Sequence, residues 1–339
     1  MNARENQTAE WKNIREISKS GRSIMFTAFL VKLLPHHLLI ALTRFVTFFY
    51  YIPAKEARKV SRDYQNKLIT FAKNLPSGFS DINLSKIPKR PHTFRHIVSF
   101  STCLVEKIEG WSGKSGMDAI EFADSGYNSA SVDEVRNLLK KHQGCMLFCS
   151  HLGNIELFRS ILSFGTDDFD RQLPVSIIMD QNVTKNFNQQ IASINSKAKM
   201  NVISSDDISM ATMGQLQETI DAGGLVVISA DRVPAHNKDR SLEVSFLGHK
   251  AKLPYGPFLI NSLLNCPTFF IFSMRKHQKG FNPTYSVHII KSDVNSDGGR
   301  KERDSKIREL AMQYAKLMEK FCLKYPFQWY NFFNFWNED

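Results

Sequence analysis

The sequence lacks an uninterrupted run of the roughly 18–20 apolar residues that marks a confident membrane-spanning helix. It has five cysteines, an odd number, with no zinc-ligand spacing among them. No disulfide framework follows from that, and a reducing compartment is the expectation. G-x-S-x-G, a P-loop, G-x-G-x-x-G and H-E-x-x-H are all missing, which removes the common hydrolase, nucleotide and zinc-peptidase signatures. There is no internal repeat and no low-complexity tract. No zinc finger, RNP-like aromatic motif or compact Lys/Arg run is present, so the basic charge is not assigned to nucleic acid.

What the sequence does have is length and a lopsided charge. A chain of 339 residues with 42% hydrophobic and 23% charged residues builds its own core without cross-links. The formal net charge is +11, and residues 1–114 hold 19 Lys and Arg against 8 Asp and Glu. The other two thirds are balanced, so the whole excess lies in the first third. That third is also apolar: 21 of the 29 residues from Ile24 to Ile52 are hydrophobic. Lys32, the Pro35-His36-His37 break and Arg44 interrupt the stretch, which predicts two short helices, 24–34 and 38–52. Phe45, Phe48, Phe49, Tyr50 and Tyr51 crowd the second. Aromatic rings beside Lys and Arg suit helices lying in a lipid headgroup layer; a pair of core helices in a soluble protein is the alternative. Glu5, Glu10 and Glu16 precede the apolar stretch and no small-residue cleavage site follows, which speaks against a secretory signal. A charged helix over 55–75 and a Pro- and Ser-containing link over 76–91 complete this part. The expected division is a basic amphipathic helical segment, 1–90, and an α/β domain, 91–339.

Beyond residue 91 two helices are expected, 95–111 and 131–142, followed by an alternation. Strands are predicted at 144–150, 174–179, 201–204, 225–230, 242–246, 267–274 and 284–290. Helices are predicted at 154–164, 184–196, 207–222 and 255–264. The strands are short continuous apolar runs, so most should be buried on both faces, as in an α/β sheet covered by helices. A stripe of Ile307, Leu310, Ala311, Tyr314, Leu317, Met318 and Phe321 closes the chain with a helix packed on the core.

One segment carries chemistry. An apolar strand ends at Ser150, and His151 follows at its carboxyl end, where α/β sheets bind ligands. Gly153 permits a sharp turn, Asn154 is an N-cap candidate, and Glu156 falls in the first turn of the next helix, where the helix dipole favours its charge. A carboxylate that holds one imidazole nitrogen as N–H leaves the other free to take a proton, which is general-base chemistry on a hydroxyl. The His-x4-Glu spacing alone is equally that of a Glu stabilising a helix start. Cys149, two residues before His151, is a buried thiol or, on the strand face it shares with His151, a nucleophile; the buried thiol is preferred.

His151 and Glu156 match the H-x4-D/E motif, and here the chain resembles the glycerolipid and lysophospholipid acyltransferase superfamily. Within it the chain looks like the bacterial lipid A lauroyl/myristoyl acyltransferase branch. It looks closer still to predicted acyltransferases that occur fused to glycosyltransferases or in aryl polyene gene clusters. Five blocks carry the likeness in order: Ser150-His-Leu-Gly-Asn-Ile-Glu156; Ala230-Asp-Arg-Val-Pro234; Phe246-Leu-Gly-His-Lys-Ala251 with Leu253-Pro-Tyr-Gly-Pro257; Leu264-Asn-Cys-Pro267; and Gln328-Trp-Tyr-Asn-Phe-Phe-Asn-Phe-Trp336.

The resemblance implies a glycerolipid-acyltransferase-like fold and direct transfer of a fatty acyl group from a thioester, on acyl carrier protein or coenzyme A, to a hydroxyl of a lipid or glycolipid. It implies no metal and no other cofactor. His151 would be the base and Glu156 its orienting carboxylate. Arg232 would hold a phosphate of donor or acceptor, or close its loop in a pair with Asp231. Asp231 would orient Arg232 or the turn. Asn154 is placed among the substrate-binding residues. The loop 246–257, with Gly248 and Gly256, would turn backbone N–H groups toward a phosphate or oxyanion, or be a plain turn; Lys250 would serve the donor or be solvated. The terminal aromatics Trp329 to Trp336 are expected to pack against the catalytic domain. The implied setting is an anionic membrane surface, the cytoplasmic face of an inner membrane, with the protein peripheral or monotopic. A non-catalytic lipid-binding protein on the same fold and a thioester or ester hydrolase are the competing readings.

Overall fold

The computed structural model describes residues 21–76, 79, 82–123, 127–157, 171, 173–179, 201–205, 208–233, 240–276, 284–294 and 301–336. The predicted helix 184–196 and the part of 154–164 beyond residue 157 lie outside these.

Two helices open the described chain, α1 (Gly21–Leu33) and α2 (His36–Tyr51), separated at Pro35 as the sequence predicts. α3 (Lys55–Lys73) and α4 (Thr93–Trp111) follow. Next come the short strand β1 (Ile120–Phe122) and α5 (Tyr127–Lys140). The alternating region contains β2 (Cys145–Cys149), β3 (Val175–Met179), β4 (Asn201–Ser204), α6 (Met210–Asp221) and β5 (Leu225–Ser229). It continues through β6 (Ser241–Phe246), β7 (His249–Pro254), α7 (Tyr255–Leu264), β8 (Thr268–Arg275), β9 (Tyr285–Lys291) and α8 (Arg303–Lys324).

Seven strands form one sheet in the order β1-β9-β8-β2-β5-β3-β4. β8, β2, β5, β3 and β4 run parallel, β8 and β9 are antiparallel, and β1 is parallel to β9. β2 lies at the centre with all five residues buried. Its period-2 alternation feeds two cores. Met146 and Phe148 join Val226, Ile228, Phe270, Phe258 and Tyr314 beneath α7 and α8. Cys145, Leu147 and Cys149 join Phe269, Ile271 and Val287 beneath α5. A central strand covered on both faces has no polar side to show, which is why it reads as a plain apolar run. Tyr64 and Leu68 of α3 lie in the first of these cores, so α3 packs with the sheet.

The predicted strand 242–246 is real but not part of the sheet. It pairs with β7 as a separate antiparallel hairpin. The stretch read as a loop, 246–257, is therefore the second hairpin strand plus the start of α7. Leu247 and Gly248 form its two-residue turn, with φ of 52° and 78°, as a type I′ turn requires. β1 was not foreseen either.

Candidate active site

β2 and β5 are parallel neighbours in register, with Cys149 opposite Ser229. The pairing runs on through a hydrogen bond from Ala230 N to Cys149 O at 3.2 Å. His151 and Asp231, each two residues beyond the last paired positions, therefore emerge side by side at the carboxyl edge of the sheet. Nδ1 of His151 lies 2.8 Å from Oδ1 of Asp231, and the backbone N–H of His151 donates to Oδ2 at 2.9 Å. Ser229 Oγ donates to Oδ1 at 2.8 Å. The carboxylate thus accepts three bonds and is buried, whereas the His151 side chain is about a third exposed, at 36%.

A carboxylate only accepts, so Nδ1 carries the proton and Nε2 keeps its lone pair. Burial alone would raise the Asp231 pKa. The imidazole, its hydrogen bonds and the Arg232 cation override that and hold the carboxyl well below the ordinary aspartate range. Burial, then the cations Arg232 and Lys107, push the His151 pKa below 6.5, against the pull of Asp231. The imidazole is neutral at pH 7, as a general base must be.

The loop that presents His151 is tied down by backbone. Tyr330 N donates to His151 O at 2.9 Å, Gly153 N to Gln328 O at 2.8 Å, and Asn154 N to Ser273 O at 2.7 Å. Residues 328–330 thereby run alongside the loop like an added strand, with Leu152 bridged to Trp329. Gly153 adopts φ of 71°, and a Cβ there would stand 2.0 Å from Ser273 O. Only glycine fits, for both reasons.

The other predicted residues separate. Asn154 is a buried helix cap: its Oδ1 accepts from Leu157 N at 3.2 Å and its Nδ2 donates to Tyr285 Oη at 3.3 Å. Glu156 sits half-buried in the first turn of the following helix, where its charge helps raise the Cys149 and Cys103 thiols, after burial itself. The carboxylate at Nδ1 is Asp231, so the orienting contact that the resemblance implied for Glu156 is made by a residue expected to orient Arg232 or the turn. Parallel register converges two strand ends; Glu156 lies past a glycine turn on another element.

Arg232 donates from Nη2 to Tyr330 O at 3.0 Å, and its guanidinium lies 5.4 Å from the centre of the Phe333 ring. Its Nε is buried without a hydrogen-bond partner. Gly248 is at the hairpin tip against Phe71, and Leu247 N donates to Glu319 Oε1 at 2.6 Å. Lys250 pairs with Glu243 at 3.0 Å across the hairpin, and Gly256 lies within α7. Among the described residues, the contacts of Gly248, Lys250 and Gly256 do not involve His151; the segment 246–257, expected as an anion-binding loop or a plain turn, forms a hairpin whose turn serves Glu319. Burial drives the Cys149 thiol far above its ordinary pKa and it lies in a core, which leaves no thiolate for nucleophilic attack.

Two participants escaped the sequence reading. Ser229 is legible only once Asp231 is known to accept from it, two residues along the same strand. Lys107 is on α4, four residues after Cys103, whose Sγ lies 3.7 Å from Gly153 O; its charge is felt at His151. Nothing in the sequence near either residue signals the site.

Comparison with protein families finds a match to the bacterial lipid A biosynthesis acyltransferase model over residues 105–338. A comparison with curated proteins finds no match.

Proposed function

Because the chain belongs to the bacterial lipid A biosynthesis acyltransferase family, which makes it an acyltransferase acting on lipid, we propose that it moves a fatty acyl group from a thioester to a hydroxyl of a lipid or glycolipid, with His151 as base and Asp231 as the carboxylate that orients it. The observation that carries this is the 2.8 Å contact between His151 Nδ1 and Asp231 Oδ1 at the carboxyl edge of the central strands. Nε2 takes the proton of the acceptor hydroxyl as its oxygen attacks the thioester carbonyl. The imidazolium that forms faces a fixed carboxylate, the arrangement of a triad without its serine. As the C–S bond breaks, the leaving thiolate recovers the proton from His151. The donor is an acyl carrier protein or coenzyme A thioester. Arg232, whose Nε is buried without a hydrogen-bond partner, is the group we assign to a phosphate of donor or acceptor. The acceptor lies in a membrane, and a donor made in the cytoplasm puts the reaction on the cytoplasmic face.

The test is transfer of a labelled acyl group from its carrier-protein or coenzyme A thioester into a total lipid extract. Wild-type protein should give labelled lipid, and His151→Ala should give none. Equal labelling by both would overturn the mechanism. Thioester loss that is the same with and without lipid would make the protein a hydrolase.

A further inference from the structure

α4 lays one face along the site. His96 Nε2 lies 2.8 Å from Trp329 O, Ser99 Oγ lies 3.0 Å from Tyr330 Oη, and Cys103 Sγ lies 3.7 Å from Gly153 O. The Phe100 ring packs on those of Tyr330 and Phe332. Residues 96, 99, 100 and 103 form one helical stripe, and the next position along it is Lys107, four after Cys103. The stripe brings Lys107 to the loop of His151, and its charge is felt at both His151 and Cys103. That position is costly for a cation. From His96 to Trp111 no residue of α4 is exposed, and Lys107 is half-buried between Glu106 and Ile108, both buried. The carboxylates of α4 belong to other cations: Glu106 to Arg275 at 3.7 Å, and Glu109 to His36 at 2.8 Å and Lys114 at 3.8 Å. Among the described residues Lys107 has no hydrogen bond and no ion pair. An ammonium held partly out of water without a partner costs free energy.

Donors exceed acceptors at the base as well. Asp231 is the carboxylate at His151, and it already accepts from the His151 backbone N–H, from Nδ1 and from Ser229 Oγ. Arg232 gives Nη2 to Tyr330 O, while its Nε is buried without a partner. Two cations from different elements, Arg232 after β5 and Lys107 on α4, thus act on an imidazole whose carboxylate is fully engaged. Cationic donors left over beside a partly exposed base match an anion, and the substrates of acyl transfer carry one in the form of phosphate.

We propose that Lys107 is a substrate-binding residue: its ammonium, together with the Arg232 guanidinium, holds a phosphate of the donor's phosphopantetheine or of the lipid acceptor beside His151. This rests on the acyl-transfer reading above and adds to it a second cation for the phosphate. Occupancy changes the base. The charged groups that face His151 are Asp231 and Arg232 from the segment after β5 and Lys107 from α4. Those that face Cys103, one turn back on α4, are Lys107, Glu106, Arg275 and Glu156. An anion held by the two cations offsets them, so the imidazolium forms more readily. The base is strengthened when substrate is seated and stays weaker when it is not.

The test uses the full-length chain with isotope-labelled histidine rings, the His151 signal being the one lost in His151→Ala. Sulfate, which keeps its charge over the pH range, stands in for phosphate. It should raise the His151 pKa in wild type and in Lys107→Arg, and chloride at equal ionic strength should not. Lys107→Gln should need about tenfold more sulfate for the same response. Without sulfate, His151 in Lys107→Gln should already titrate above its wild-type value. In acyl transfer, Lys107→Gln should raise the KM of the phosphate-bearing substrate by about tenfold with kcat changed far less, and Lys107→Arg should restore most of the loss. Inorganic phosphate should inhibit the wild type. Relief by excess thioester puts the phosphate on the donor, and relief by excess lipid extract puts it on the acceptor. A sulfate response as strong in Lys107→Gln as in wild type, an unchanged KM for both substrates, or inhibition that neither substrate relieves would overturn the proposal. The titration needs no acyl transfer, so a protein that responds to sulfate through Lys107 yet transfers nothing would sink the acyl-transfer reading and leave the anion site standing.

Discussion

At the scale of single residues, one proton decides whether the site works. With Nδ1–H committed to Asp231, the lone pair of Nε2 is available, and the imidazole stays neutral because burial and the flanking cations lower its pKa. Asp231→Asn removes the charge that opposes the imidazolium and offers Nδ1 an amide in place of an obligate acceptor. Acyl transfer should fall by about a hundredfold or more. The His151 pKa should fall further, measurable by NMR titration of its ring protons. Glu156→Gln should leave the Nδ1 hydrogen bond in place; a His151 titration that responds to Glu156→Gln and ignores Asp231→Asn would reverse the assignment. Since the neutral imidazole is the active form, kcat/KM should decline on the acid side only as pH falls through a value below 6.5. A decline centred above 6.5 would point to another base.

At the scale of elements, α4 is the hinge of the whole arrangement. Toward the sheet it holds Trp329 O through His96 Nε2 at 2.8 Å and Tyr330 Oη through Ser99 Oγ at 3.0 Å. Toward the N-terminal helices it offers Glu106 and Glu109, both buried. Glu106 receives the Tyr285 hydroxyl and lies 3.7 Å from Arg275. Glu109 has His36, with Lys114 at 3.8 Å. Lys114 also caps α1, donating to Val31 O at 2.7 Å. The N-terminal helices are therefore wired into the catalytic body. Removing the imidazole with His36→Ala leaves a buried carboxylate short of a partner and should cost about 2–4 kcal/mol of stability, read from urea unfolding. Loss within a few tenths of that of an exposed substitution such as Ser85→Ala would show the clasp to be slack. Truncation before residue 54 should then lower stability as well as release the protein from membranes.

At the scale of the whole molecule, buried groups of opposite sign bear on the pH range of the fold, and His96 and Glu319 are examples of each. His96 is held neutral between Ser61 and Trp329 O, and burial lowers its pKa to about 4. The unfolded chain binds that proton at about 6.5 and the folded one only at about 4. This contribution is therefore complete above pH 6.5 and lost as pH falls toward 4, roughly 3 kcal/mol in all. Glu319 has the opposite sign. Burial raises its pKa to about 7, against the Leu247 N–H that favours the ion. The folded state binds the proton more tightly than the unfolded chain, so this contribution is complete below pH 4.5 and lost as pH rises through 7. Glu319→Gln should remove the downward slope of stability between pH 5 and 8, seen in urea midpoints across that range; an unchanged slope would mean the carboxyl ionises at its ordinary value.

Much of the architecture was legible in local pattern. The runs at 145–149, 225–229 and 268–274 are largely apolar because both faces are covered, and each starts directly after Gly144, Gly224 or Pro267. α7 was located to the residue, Tyr255–Leu264; in the structure Pro254 precedes it and Asn265, in the left-handed conformation, ends it. β7 was missed because His249-Lys-Ala-Lys-Leu-Pro254 alternates exposed Lys with buried Ala and Leu, and a single hydrophobic pair beside Gly248 resembles a loop. β1, at three residues, is too short to show a period.

Sequence alone determined that His151 ends an apolar strand, that a glycine turn follows it, that the basic excess coincides with the apolar helices, and that the blocks of an acyltransferase occur in order. Each of these is written within a few consecutive residues, where backbone geometry imposes a period. Only the tertiary structure decided which carboxylate meets the imidazole and which way α2 faces. Asp231 is 80 positions from His151, and their meeting depends on the parallel register of β2 and β5. The two strands lie in a sheet packed beneath α5 on one face and α6, α7 and α8 on the other. The same holds for α2: its largely apolar sequence is broken by His36, His37, Thr43, Arg44 and Thr47, and it is Glu109 and Thr93, far along the chain, that meet His36 and Tyr51 while the phenylalanine rings stay exposed.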